Sequence, residues 1–182
     1  MGREERWRAL ALLVPILLAA CGGGSGSTVS PTDYVASVCS HAKTWISDIH
    51  QGFAQLQSEV KPGTSPQKGK DVLQSFFART ISDTDTMING IRATGVPDVS
   101  NGRSLASSLL AALGRARAAL ADATKVVDNL PTNSPAAFQR AATTLGTRVE
   151  ANMGQIGTAI SGLHSPELEH AAGKAPACRG VA

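Results

Sequence analysis

The sequence predicts an all-α protein, an antiparallel up-down four-helix bundle with a short C-terminal helical turn and tail. Three observations predict it. Apolar residues recur at steps of three and four over four long stretches, which places each set on one helix face. Three of the four starts carry Ser-Pro or its neighbours, and the ends carry Pro-Gly, Gly-x-Pro or Pro. No stretch alternates with period two for long enough to make a strand.

The first helix starts at Ser30-Pro31-Thr32-Asp33, a capping serine, a proline at the first helical position and an acid in the first turn. Its stripe is Val35, Val38, Ala42, Trp45, Ile49, Phe53, Leu56 and Val60, and Pro62-Gly63 ends it. The second starts near Ser65-Pro66. Its stripe is Val72, Leu73, Phe76, Phe77, Ile81, Thr84, Met87, Ile88 and Ile91, with Gly95 and Pro97 as the stop. A short turn, Val96-Pro97-Asp98-Val99, leads to a cap at Ser100 or Asn101. The third helix carries Leu105, Leu109, Leu113, Ala116, Leu120, Ala123, Val127 and Leu130, and Pro131 closes it. The fourth starts at Ser134-Pro135 and carries Phe138, Ala142, Leu145, Val149, Met153, Ile156, Ile160 and Leu163. Each helix is about 45 Å long at 1.5 Å per residue. Equal helices with short links point to antiparallel neighbours. The 33–35-residue spacing also suits tetratricopeptide-type arrays, but their consensus positions and shorter paired helices are missing. Ser165-Pro166-Glu167-Leu168-Glu169-His170 adds one or two further helical turns, and a tail with Gly173, Pro176 and Cys178 follows.

The 182 residues carry 17 Lys and Arg against 14 Asp and Glu, without long runs of either sign. A nucleic-acid binder should show a basic stripe, and none is visible, so no nucleic-acid partner is expected. Residues 31–182 are a comfortable length for one helical domain with one core.

The N-terminus has a charged start, Met1 to Arg8, then an apolar run from Ala9 to Ala19, then Leu18-Ala19-Ala20-Cys21. Charged, apolar and small regions in that order make an export signal. The run is too short for a spanning helix and Pro15 interrupts it. An ordinary secretory signal would need neither the cysteine nor its spacing. The stretch resembles the lipobox of bacterial lipoproteins. The resemblance implies cleavage between Ala20 and Cys21, acylation of Cys21 and anchoring by that lipid at the extracytoplasmic face of the cell membrane. Residues 1–20 are then the signal peptide. Residues 21–30, lipidated at one end and rich in glycine and serine, are a flexible tether reaching at most about 30 Å. The Val38-Cys39 pair, the Ser-Pro-Glu-Leu-Glu segment and the Pro176-Ala177-Cys178-Arg179 tail are also similar to small secreted lipoproteins of actinobacteria with no assigned activity.

With Cys21 assigned to lipid, Cys39 and Cys178 remain as an even pair on the oxidising side of a membrane. No CxxC or Cys/His metal spacing is present. With four helices, the end of the fourth returns to the end where Cys39 lies. A disulfide between Cys39 and Cys178 is therefore expected.

The candidate chemistry is sparse. Glu167-x-x-His170 has the spacing of di-iron carboxylate bundles, but those need two such pairs and two further glutamates in the core. The helical stripes contain no Asp, Glu or His. His41, His164 and His170 fall at one end of the predicted bundle and are weak candidates for a metal or pH-sensitive cluster. Met87 and Met153 sit at stripe positions, where methionine fills gaps. Asp83 and Asp85 lie on different helix faces, and no GxSxG sequence occurs. Gly52, Gly90, Gly114, Gly146, Gly154, Gly157 and Gly162 fall within helices, each costing about 1 kcal/mol relative to alanine. Either they allow close helix approach or they loosen the fourth helix. A loose fourth helix beside Trp45, Phe53, Phe76, Phe77 and Phe138 would open an apolar ligand pocket.

These features exclude no binding role but assemble no nucleophile, base and acid. The first expectation is a non-enzymatic interaction or structural lipoprotein, without cofactor, that meets an envelope component or protein. The second is a carrier or sensor for a small apolar ligand or a metal ion. A cavity among the aromatics would favour the second. A solid core with an exposed apolar patch would favour the first.

Overall fold

The computed structural model describes residues 27–180. The lipobox, with Cys21, and residues 22–26 lie outside them. The chain enters through a two-residue strand β1 (Thr28–Val29), then forms α1 (Pro31–Glu59), α2 (Pro66–Thr94), β2 (Val96–Pro97), α3 (Gly102–Asp128), α4 (Pro135–Ser161) and α5 (Pro166–Lys174). A 3₁₀ turn, Pro176–Cys178, follows.

Four of the five α-helices start with the same device. The hydroxyls of Ser30, Ser65, Ser134 and Ser165 accept the N–H of Asp33, Lys68, Ala137 and Leu168, and a proline fills the first helical position. The serine satisfies an orphan donor, and proline gives up an N–H that had no intrahelical partner. The start of α3 differs. Asn101 occupies the cap in the left-handed region, with φ of 60°, and makes no side-chain cap bond. Gly95 ends α2 with φ of 97°. A Cβ there would collide with the carbonyl oxygen of Ser27, so glycine admits the incoming chain as well as the turn.

That approach corrects the expectation of a tether running free to Ser30. β1 pairs in parallel with β2, Thr28 opposite Val96 and Val29 opposite Pro97. Val96 N–H donates to Ser27 O at 3.0 Å and Asp98 N–H to Val29 O at 2.8 Å. Val29 packs against the core around Tyr34 and Val35.

The four long helices form an up-down bundle, each packed against the next in sequence. Cross-helix pairs run in opposite directions, which makes the neighbours antiparallel. Between α1 and α2, Ser37 meets Thr94, Trp45 meets Thr84, and Gln55 meets Arg79. Between α2 and α3, Gln74 meets Asp128 and Asp85 meets Arg117. The core has three parts. Tyr34, Val35, Ala106, Ala171 and Ala175 fill the end where the chain enters. Met87, Ile88, Ile91 and Leu113 fill the middle. Phe77, Leu120, Ala123, Val127, Leu130 and Leu145 fill the far half.

Beyond α4 the chain folds back onto α1. The 3₁₀ turn brings Cys178 to Cys39, and the two form a disulfide with Cα atoms 4.9 Å apart. Among the described residues no helix is long and apolar enough to cross a membrane.

Candidate functional site

The sequence of packing leaves α1 and α4 as the two outer walls, and they do not close against each other. Between them lies an apolar groove of about 540 Å³. Trp45, Ile49, Phe53 and Leu56 form the α1 wall, at steps of four, four and three that keep them on one face. Ala142, Leu145, Gly146, Val149 and Met153 form the α4 wall. Leu73, Phe76, Phe77 and Thr80 of α2 and Leu120 of α3 are the floor.

The aromatic side of the groove is held in place. The Trp45 indole N–H donates to Thr84 Oγ1 at 3.0 Å, and the Thr84 hydroxyl donates to Thr80 O at 2.7 Å. Phe53 and Phe76 stack at a tilt, 4.9 Å between centroids, and Phe76 meets Phe77 edge-on at 5.4 Å. Such pairs add to their burial energy through favourable quadrupole geometry. Phe53 is nonetheless 47 % exposed, because its outer face looks across the open groove.

The α4 wall is held by apolar contact alone. Among the described residues no side-chain hydrogen bond or ion pair links α4 to another helix. Thr143, Thr144, Thr147 and Thr158 all donate to carbonyls of α4 itself. The glycines separate into two classes. Gly52, Gly69 and Gly90 are approached by Phe76, Phe138 and His41, so their missing side chains admit a neighbour. Gly146, Gly154 and Gly157 of α4 face open space.

Chemically, the lining can shelter hydrocarbon and little else. The Thr80 hydroxyl is spent on Phe76 O at 2.9 Å and the Trp45 N–H on Thr84. Glu150, on the rim, is the one charged residue of the lining.

Four of the five aromatic residues expected around a pocket line the groove. The fifth, Phe138, does not. It lies over Gly69, where a Cβ would sit 2.8 Å from its ring, and faces a cleft at the tip of the bundle. The histidines do not gather. His41 packs on Gly90 in the α1–α2 seam. His164 is exposed and its Nδ1 lies 3.3 Å from Glu169. His170 is exposed on α5. Among the described residues no group of three His, Cys, Asp or Glu side chains is placed to hold a metal. Three Ser-x-x-Lys spacings, Ser40 to Lys43, Ser58 to Lys61 and Ser65 to Lys68, have no catalytic setting, and the Ser58 hydroxyl donates to Gln55 O. Ser65 caps α2, and Lys68 pairs with Glu59 at 3.1 Å.

Three acids and phenols are perturbed, all outside the groove. Burial raises the Tyr34 phenol in the entry-end core. Hydrogen bonds from Gln55 and Lys68 hold Glu59 below its ordinary value. Desolvation, reinforced by Asp48 across the α1–α2 seam, raises Asp83. Glu59 shares a small polar cleft of about 230 Å³ with Lys68, Asp71, Ser75 and Arg79, but its carboxylate is engaged by Lys68 and Gln55 and the Ser75 hydroxyl donates to Asp71 O.

Glu150 and the tip cleft were missed in the sequence, the first because one acid on a helix face reads as solvated surface. Compared with known protein families, curated proteins and solved structures, the chain matches none. The fold and site define a helical bundle with a preformed apolar groove, and its function is read from that groove.

Proposed function

We propose that this protein is a lipid-anchored extracytoplasmic carrier that holds a small apolar ligand in the α1–α4 groove, without a catalytic step or a resident cofactor. The observation that carries the reading is the groove itself. Its volume of about 540 Å³ falls in the range of small-molecule sites, and its lining is aromatic and aliphatic with no free hydrogen-bond donor. The anchor is supported by Leu18-Ala19-Ala20-Cys21 and places the carrier at the membrane face, next to the source of apolar ligands. An envelope component receives or supplies the ligand.

The interaction role that the sequence suggests first has less support. Phe53 and Val60 are the exposed large apolar residues among those described. Phe53 lines the groove and Val60 the cleft that continues it, so they mark the same site and no separate docking patch.

Native mass spectrometry of the protein purified from its own membrane tests the reading. A co-purifying apolar molecule, lost on substituting Phe53 and Val149 by aspartate, is the expected result. A bare mass, together with failure to take up any long-chain probe, would reject the carrier role.

A further inference from the structure

Resting on that reading, we propose that the ligand is a single-chain amphiphile with an anionic head, whose chain lies in the groove and whose head emerges at the bundle tip beside Lys61. Shape carries the first half of the inference. From Trp45 to Leu56 the groove runs about 17 Å along α1. A volume of about 540 Å³ spread over that length is an elongated furrow, a shape that suits an extended hydrocarbon chain. Apart from Glu150 on the rim, the lining offers the chain no free polar group along this path.

Charge carries the second half. The groove meets the tip cleft at Ala142, which lines both. The cleft changes character from apolar to mixed, with Lys61, Thr64 and Gln139 beside Val60 and Phe138. Lys61 is the one charged residue of that cleft, and its ammonium has no ion-pair partner among the described residues. The nearest acid in sequence, Glu59, is already engaged by Lys68 and Gln55. The one charge on the groove lining, Glu150, has the opposite sign. An anionic head is repelled along the groove and attracted at the tip, so the ligand has one orientation. The tip is also the end opposite β1, where the chain enters. The head therefore faces away from the anchored end of the domain.

Trp45 reports occupancy, because the other tryptophan, Trp7, is removed by Trp7→Phe. Titrating this full-length chain with palmitate and with hexadecanol separates head from chain. The expected result is that both quench or shift Trp45 emission. Lys61→Glu weakens palmitate about tenfold and hexadecanol less than about twofold, Lys61→Ala weakens palmitate about threefold, and Lys61→Arg restores it. Lys174→Glu, at the opposite end, changes neither. Equal weakening of both ligands by Lys61→Glu, no weakening of palmitate, or the same loss from Lys174→Glu would overturn the assignment of the head while leaving an apolar groove. Failure of both ligands to bind the unmodified site would instead overturn the carrier reading on which it rests.

Discussion

Helices α3 and α4 have the same length, 27 residues each, and amphipathic patterns of similar strength. Yet α3 buries eight residues and α4 buries one, Leu145. The difference follows from what each helix faces. α3 sits between α2 and α4 and is tied to α2 by Arg117 to Asp85, 3.1 Å, and by Gln74 and Lys70 to Asp128. α4 has a neighbour on one side only, and the groove on the other. A regular apolar stripe makes a helix fit for burial, but the depth of burial depends on the opposing surface.

Removing the disulfide is the strongest test of how α4 is kept in place, since the bridge fastens the segment after α4 to α1. Cys39→Ser with Cys178→Ser should cost about 4–5 kcal/mol in urea unfolding by the chain-entropy model, for a bridge spanning 139 residues. A loss below about 1 kcal/mol would show that α5 docks without it. The two helices are compared directly by truncation. Leu120→Ala, in the far-half core, should cost about 3 kcal/mol. Met153→Ala, on the groove wall, should cost about 1 kcal/mol or less. Equal losses would break the comparison. Native-state hydrogen exchange should sharpen it, with α4 amides exchanging faster than those of α2 and α3.

Glycine substitutions give smaller effects of opposite sign. Gly90→Ala puts a Cβ into the His41 ring and should destabilise by about 1–2 kcal/mol. Gly154→Ala and Gly157→Ala meet nothing and should each stabilise by about 0.4–1 kcal/mol. Thermal melts of the three variants decide it. A destabilising Gly154→Ala would show that this face of α4 packs against another surface. The smallest effect concerns Asp83, whose folded pKa is raised by desolvation first and by Asp48 second. A raised carboxyl disfavours its charged form in the fold, so stability falls as pH rises through that pKa. Asp83→Asn should therefore raise stability slightly at pH 7, by a few tenths of a kcal/mol after solvent screening and read as a higher melting temperature, with the gain vanishing in acid. A lower melting temperature at pH 7 would show that Asp83 is held by a favourable partner.

Much of the architecture was legible. Ser30, Ser65 and Ser134, each followed by proline, marked helix starts to the residue, because capping is a local reaction of a hydroxyl with an N–H three positions on. Cys39 and Cys178 were paired from helix count and compartment. The stretch at Thr28–Val29 was not legible as structure, since a two-residue parallel pairing depends on Gly95 and Val96, far away in sequence. His41 and Phe138 were weak candidates for a cluster and a pocket that they do not join. Each instead fills the space left by a glycine on α2, and nothing in a single sequence pairs a ring with a distant missing side chain.

By itself, then, the sequence determined where helices begin and end, which face of each is apolar, and which end brings the cysteines together. These are local or countable properties, set by capping, periodicity and chain direction. Tertiary structure alone decided that the α1–α4 seam stays open, that Trp45, Phe53, Phe76 and Phe77 share one groove, and that Lys61 stands at its far end. The reason is physical. Periodicity orients a side chain relative to its own helix axis, whereas a groove exists only in the distance between two helices that third and fourth partners hold apart.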